Sequence, residues 1–267
     1  MFAPLLVIAA CVPPAPITPR VEQSLEIPPL GAGRPVVDNG GVRFGRVAPR
    51  VGAMWAVDVH SRSTASDVGT GADFSEYVSR YRVEVLATNG PAPTRVSLAF
   101  EQNIQRHRGI DRPTSVHGKT YIVDVAPPHV RRVTGVVPAE EEAQRVLDVL
   151  PDLGTRTQID QVLPETSMAI GDERNELAAA ILRIIHPRAW TLEKGSAELT
   201  ETDDDDALFS ITIEATSMSG FRMNVRGEAR IRMRETRLVS VELDGGFELK
   251  DGGDSGTFSY EWHLREE

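Results

Sequence analysis

The chain has 267 residues, 40% of them hydrophobic and 25% charged, with a net charge of −10, which is the composition of a folded globular protein. The acidic balance argues against nucleic acid as a partner, because affinity for phosphate backbones rests on clustered Lys and Arg. No stretch approaches the roughly 20 apolar residues that cross a bilayer as a helix, and a lone cysteine, Cys11, can form no internal disulfide.

From the N-terminus, Phe2 to Ala10 is apolar and runs into Ile8-Ala9-Ala10-Cys11. That arrangement resembles a bacterial lipobox, with residues 1–10 as a lipoprotein signal peptide, although no Lys or Arg precedes the apolar run. The resemblance implies cleavage before Cys11 and a diacylglyceryl group on its thiol. It places the protein in the bacterial cell envelope, lipid-anchored, at the outer membrane facing the periplasm or the surface. From Val12 to Arg50 there are eight prolines and five glycines, so residues 11–50 are expected to form a Pro/Gly-rich tether. Extended polyproline geometry would give it a reach of roughly 100 Å.

Residues 51–267 are expected to form a single β-rich domain, with strands over 51–137, a helical insert over 138–186 and strands over 189–265. Alternation predicts strands at Val51, Ala53, Trp55, Val57 and Val59, at Tyr81 to Val85, at Val96 to Phe100 and at Tyr121 to Val125. Asn89-Gly90-Pro91 supplies a hairpin turn between the second and third. In the insert, Pro138 and Glu140 to Glu142 open a helix whose dipole favours acids in its first turn, and Pro151 ends it. A second helix is expected at Thr155 to Leu163. A third runs from Asp172 to Ile185 and stops at His186-Pro187.

The C-terminal alternation is cleaner. Phe209 to Ala215 shows one apolar face, and from Phe221 to Met233 every odd position is apolar or small while even positions carry mostly Arg. Gly227 lies mid-way on the inward face, where it permits a sharp bend or the close approach of a backbone or ligand. Val239, Val241 and Leu243 continue the pattern, Asp244-Gly245-Gly246 reads as a turn, and after Asp251 to Gly256 the last strand presents Phe258, Tyr260, Trp262 and Leu264. The expected fold is mainly β (α+β): a large curved antiparallel sheet of nine or ten strands, a half-barrel-like meander, with about three helices inserted mid-chain and packed on its apolar face.

Chemistry-bearing motifs are scarce. Gly118-Lys119-Thr120 lacks the upstream glycine of a phosphate loop and leads into a strand. Asp203, Asp204, Asp205 and Asp206 form the densest acidic cluster, a candidate for a metal that otherwise reads as a hairpin tip. The six histidines have no metal-binding spacing, and no nucleophile elbow occurs. Arg222, Arg226, Arg230, Arg232 and Arg234 line an outward face and are expected to pair with Glu214, Glu242, Glu248 and Glu261. No cofactor is implied, and no catalytic residue is assigned.

The functional expectation is a non-catalytic envelope lipoprotein that binds an apolar or amphiphilic ligand between sheet and helices, with Met223, Gly227 and Met233 as candidates for contact. The alternative is a structural module that docks another envelope protein, and a hydrolase with an unrecognised site is more remote. The expected architecture is similar to that of the lipoprotein-localisation carriers, which close a curved half-barrel with helices. Here, however, the helices interrupt the strands.

Overall fold

The structure is a computed structural model that describes residues 41–267 apart from 68–70, 126–128, 164–165, 186–189, 219, 250–254 and 267. Cys11, the signal segment, the tether as far as residue 40, the His186-Pro187 stop and most of the Asp251 to Gly256 turn lie outside the described residues. A short strand, β1 (Gly41–Val42), precedes β2 (Met54–Asp67), β3 (Gly71–Asn89), β4 (Ala92–His107), β5 (Ile110–Pro113), β6 (Thr120–Asp124) and β7 (His129–Arg132). The insert holds α1 (Glu140–Asp148), α2 (Gln158–Val162), β8 (Met168–Ala169) and α3 (Asn175–Ile185). Five strands follow: β9 (Trp190–Thr202), β10 (Asp206–Ser217), β11 (Phe221–Arg232), β12 (Arg237–Leu249) and β13 (Ser255–Glu266).

Eleven strands form one open, curved antiparallel sheet in the order β7-β6-β4-β3-β2-β13-β12-β11-β10-β9, with β5 added to β4. The two groups of strands therefore join through the last strand and the first long one, β13 against β2. This puts β7 and β9 at opposite edges, and the helical insert connects them. Its helices bury their apolar stripes in the same core as the inner face of the sheet, with Leu177, Ile181 and Leu182 of α3 packed with Phe209, Ile211 and Ile213 of β10. Alternation supplies that face directly: Met223, Val225, Ala229 and Ile231 of β11 are buried, while Arg222, Asn224, Arg226 and Glu228 between them are exposed.

Several expectations need correction. The tether does not extend to Arg50. β1 pairs with β8, Phe44 is only 4% exposed and its ring lies 6.1 Å from that of Phe209. The Gly45 N–H donates to Met233 O at 2.7 Å, the Thr236 hydroxyl donates to Gly45 O, and Arg46 holds Asp160 and Leu163 O. One large apolar residue with backbone partners outweighs the loop-like composition around it. The first long strand begins at Met54, and Val51 is exposed. Helices α2 and α3 begin three residues later than expected, α2 after Thr157, whose hydroxyl accepts from the Asp160 N–H at 3.1 Å. A bulge at Arg230 and Ile231 turns Leu238 inward ahead of Val241, leaving Val239 only half-buried.

Asp244-Gly245-Gly246 is not a turn, because β12 runs through it. The glycines answer a different need. A Cβ on Gly227 would lie 1.9 Å from Glu242 O, one on Gly245 would lie 2.1 Å from Asn224 O, and one on Gly256 would lie 2.1 Å from Thr64 O. These three positions step diagonally across β11, β12 and β13, each glycine two residues beyond the register partner of the previous one. They form a crease in which neighbouring backbones occupy the space of missing side chains, as a strongly coiled sheet requires. The turn at Asn89-Gly90-Pro91 does form, with Gly90 at φ 58° joining β3 to β4.

Candidate functional site

The inner face changes character across the middle of the sheet. Strand register aligns Trp262, Val59, Ser79 and Asn103 in one row of β13, β2, β3 and β4, and Tyr260, Ser61, Tyr77 and Gln105 in the next. A third row brings Phe258 and Ser63 together. The β12 and β13 side is thus aromatic, with the Phe258 and Tyr260 rings stacked at 6.4 Å. The β2, β3 and β4 side carries hydroxyls and amides. Trp262, Tyr260, Ser79 and Asn103 are buried, while Phe258, Ser61, Ser63 and Tyr77 are half-exposed, so the surface opens away from the packed core. Phe247 and Phe221, also half-exposed, extend the aromatic side with an edge-to-face contact at 5.9 Å.

Asn103 organises the polar side and is 2% exposed. Its amide nitrogen donates to Tyr77 Oη at 2.7 Å and to Ser79 Oγ at 2.9 Å, while its Oδ1 accepts from the Thr114 hydroxyl at 2.6 Å. Its backbone N–H donates to His117 Nδ1 at 3.1 Å and its carbonyl accepts from the Thr114 N–H at 3.0 Å. Every hydrogen-bonding group of this buried residue is therefore committed, which is the condition for a polar network inside a core to be tolerated. Tyr81 joins from the next inward position of β3. It shares a side-chain hydrogen bond with Trp262, and burial pushes its phenol well above the ordinary tyrosine range. Burial, then the neighbouring Tyr81 and Tyr77, raises Tyr260 in the same direction. The phenols of Tyr77, Tyr81 and Tyr260 thus lie within electrostatic reach of one another.

Tyr81, Tyr260 and Trp262 were legible in the sequence as inward-facing core residues, but their convergence was not. The available signal was a parity fault: Ser61, Ser63 and Ser79 occupy inward positions of β2 and β3, where a fully packed sheet would place apolar side chains.

The residues singled out from sequence lie elsewhere. Met223 and Met233 are buried in the main core, and Gly227 faces the backbone of β12. Asp203 accepts from the Asp205 and Asp206 N–H groups at 2.9 and 2.7 Å, closing the turn between β9 and β10, and these bonds hold its carboxyl below the usual range. The neighbouring carboxylates face arginines of the long strand and its turn: Arg230 to Asp203 at 3.1 Å, Arg232 to Asp206 at 3.3 Å and Arg234 to Asp205 at 3.3 Å. Asp204 is exposed. Among the described residues the ion pairs of the arginine row thus run to this turn and, through Arg222, to Glu193 at 3.7 Å, where Glu214, Glu242, Glu248 and Glu261 were expected. Lys119 lies between a turn and β6 and donates to Ser115 O at 2.6 Å.

Two further polar clusters are structural. Glu142, expected to serve the helix dipole of α1, is 4% exposed. It accepts from the Tyr121 hydroxyl at 2.6 Å and from Arg132 at 2.9 and 2.7 Å, with Lys119 at 3.4 Å. Arg132 foremost lowers its carboxyl to about 2. On the outer face, a depression of about 200 Å³ is lined by Asp58, His60, Arg80, Gln102, Glu261 and His263 among others. It is smaller than the roughly 300 Å³ of a typical ligand pocket. Its charges are committed across strands: Asp58 to Arg80 at 2.6 Å and to Arg265 at 2.7 Å, and His60 to Glu76 at 2.6 Å.

No known protein family's sequence profile matches the chain, and no curated protein matches it by sequence. Among solved structures, DynF from the dynemicin biosynthesis pathway of Micromonospora chersina is similar with 10% identity and a TM-score of 0.22, over 88% of this chain and 92% of that one. A LolA superfamily protein from Nitrosomonas europaea is similar with 10% identity and a TM-score of 0.22, over 82% of this chain and 88% of that one. Likenesses this low leave the site to be read from the chain's own geometry.

Proposed function

We propose that this chain is a non-catalytic envelope lipoprotein, anchored through Cys11, that binds an apolar or amphiphilic molecule on the inner face of its sheet. The observation that carries the reading is the two-sided surface around Tyr77: half-exposed aromatics on β12 and β13 face hydroxyls and an amide on β2, β3 and β4. Such a surface suits a molecule with an apolar body and a polar group, as small-molecule sites combine aromatic walls with a few placed polar atoms. Binding rather than catalysis is favoured by the chemistry of the cluster. The Tyr81 and Tyr260 phenols are pushed further from neutrality by burial, and the Nδ1 lone pair of His117 is already taken by a backbone N–H, whereas general acid–base groups work near the operating pH.

Native mass spectrometry of the protein isolated from its own membrane tests both halves of the proposal. The expected result is a diacylglyceryl adduct on Cys11 together with a co-purifying amphiphile lost on Tyr77→Ala substitution. An unmodified N-terminus would refute the anchor, and a ligand-free protein whose inner face takes up no amphiphile would refute the binding function. A second reading, a module that docks another envelope protein, draws support from the turn after β7, which exposes Val133, Val136 and Val137. It predicts that charged substitutions there abolish co-purification of a protein partner.

A further inference from the structure

We infer that the inner-face site selects an uncharged hydrogen-bond acceptor, such as an ester or amide carbonyl, on the molecule it holds. The inference rests on the binding function proposed above and deepens it.

The polarity of the site follows from counting protons. A side-chain amide nitrogen only donates, so the two bonds from Asn103 make Tyr77 Oη and Ser79 Oγ acceptors at that contact. Each hydroxyl carries one proton of its own, which the bond from Asn103 does not use. An indole N–H likewise only donates, so in the Trp262–Tyr81 bond the phenol oxygen accepts and its proton remains to be given. His117 receives a backbone N–H at Nδ1, which places its ring proton on Nε2. The bonds from Asn103 thus leave Tyr77, half-exposed on the inner face, with a proton to give, and leave the buried Ser79 beside it with another, while Tyr81 keeps its own. No carboxylate takes part in this network. Apart from His117, its members Tyr77, Ser79, Tyr81, Asn103, Thr114 and Trp262 are neutral polar side chains.

A group of neighbouring donors without a cation has a definite preference. A carbonyl oxygen accepts two such protons and enters a buried site at little desolvation cost. A carboxylate or phosphate would have to shed its hydration without gaining a counter-charge, and an ammonium would meet donors with a donor. An alkane would leave the donors unpaired.

The test compares four probes of one chain length, methyl octanoate, octanoate, octylammonium and octane, titrated into the full-length protein at pH 7.5 and followed by calorimetry. Methyl octanoate is expected to bind about 10-fold or more tightly than each of the others, the equivalent of one or two good hydrogen bonds. Tyr77→Phe, which keeps the ring, and Ser79→Ala should each weaken the ester several-fold and leave octane unchanged. Equal affinity for ester and octane would overturn the inference while leaving an apolar binding face in place, and tighter binding of octanoate than of the ester would overturn the claim of an uncharged group. Failure of all four probes to bind the wild-type protein would overturn the binding function itself and the inference with it.

Discussion

Glu142→Gln is the sharpest probe of how the helical insert is fastened to the sheet. The carboxylate sits between α1 and the edge strands, accepts from Tyr121 on β6 and Arg132 on β7, and is lowered from 4.5 to about 2, chiefly by Arg132. A carboxyl whose folded value lies below its unfolded value stabilises the fold fully above the unfolded value. That contribution is lost as the pH falls through the folded value. A span of about 2.5 units at 1.36 kcal/mol each gives about 3 kcal/mol, lost between roughly pH 5 and pH 2. Glutamine keeps an oxygen for the Tyr121 hydroxyl but gives up the charge. Arg132 and Lys119, 32% and 34% exposed, recover hydration, so the expected loss at pH 7 is about 2–3 kcal/mol. Urea denaturation of wild type and variant from pH 7 to pH 2 measures it. The difference should shrink below about 1 kcal/mol at the acid end. A difference that is small at pH 7, or constant across the range, would refute the argument that an ionised latch holds α1.

Other outcomes follow from the same structure. Phe44→Ala should cost about 3 kcal/mol, the usual price of emptying a buried phenylalanine site, whereas an extended tether through Arg50 predicts no change in the urea midpoint. Gly227→Ala should destabilise by about 3 kcal/mol, because its Cβ would meet the backbone carbonyl of Glu242 at 1.9 Å and overpacking against backbone has no cheap relief; a neutral result would remove the crease as a structural requirement. Burial foremost raises the Asp152 carboxyl to about 6 from 3.8. The ionised form therefore opposes folding, and stability falls as pH rises from about 4 through 6. Asp152→Asn keeps the acceptor for the Gln158 N–H and should stabilise the protein by about 1–2 kcal/mol at pH 7.5 but not at pH 4, as thermal unfolding at the two values would show.

Strands were legible wherever one face alone is buried. The period-two pattern from Phe221 to Met233 survives intact because β11 lies between two partners and shows its arginines to water. What failed was set by distant chain. Gly245 and Gly246 carry the same local signal as a reverse turn, and only the close approach of distant backbone, Asn224 and Val225 of β11 at Gly245 and Gly256 of β13 at Gly246, explains why they sit inside a strand. Phe44 was hidden by the prolines and glycines around it, since its ring partner Phe209, and Met233, which takes the N–H of the adjacent Gly45, belong to the other end of the sequence. Glu142 looked like one of three equivalent first-turn acids, yet the rotation of α1 turns it alone inward among them. The inner-face cluster was the least legible. It needs β13 beside β2, a pairing between the ends of the domain that no local pattern encodes, and only misplaced serines on β2 and β3 hinted at it.

That pairing also orders the folding of the chain in time. The neighbours of β2 in the sheet are β3, available at once, and β13, the last strand to be made. Until β13 arrives, the N-terminal strands keep a long unpaired edge at what will become the centre of the sheet, and joining the halves must close a loop that spans nearly the whole domain, a slow step by topology. A chain synthesised from the N-terminus therefore completes its middle last, and the inner-face site, built from β13, β2, β3 and β4 together, cannot exist in any truncated product. A circular permutant that joins Glu266 to Gly41 by a flexible linker, keeping β1 and Phe44, would bring β13 and β2 close in sequence and should fold faster while keeping the same site.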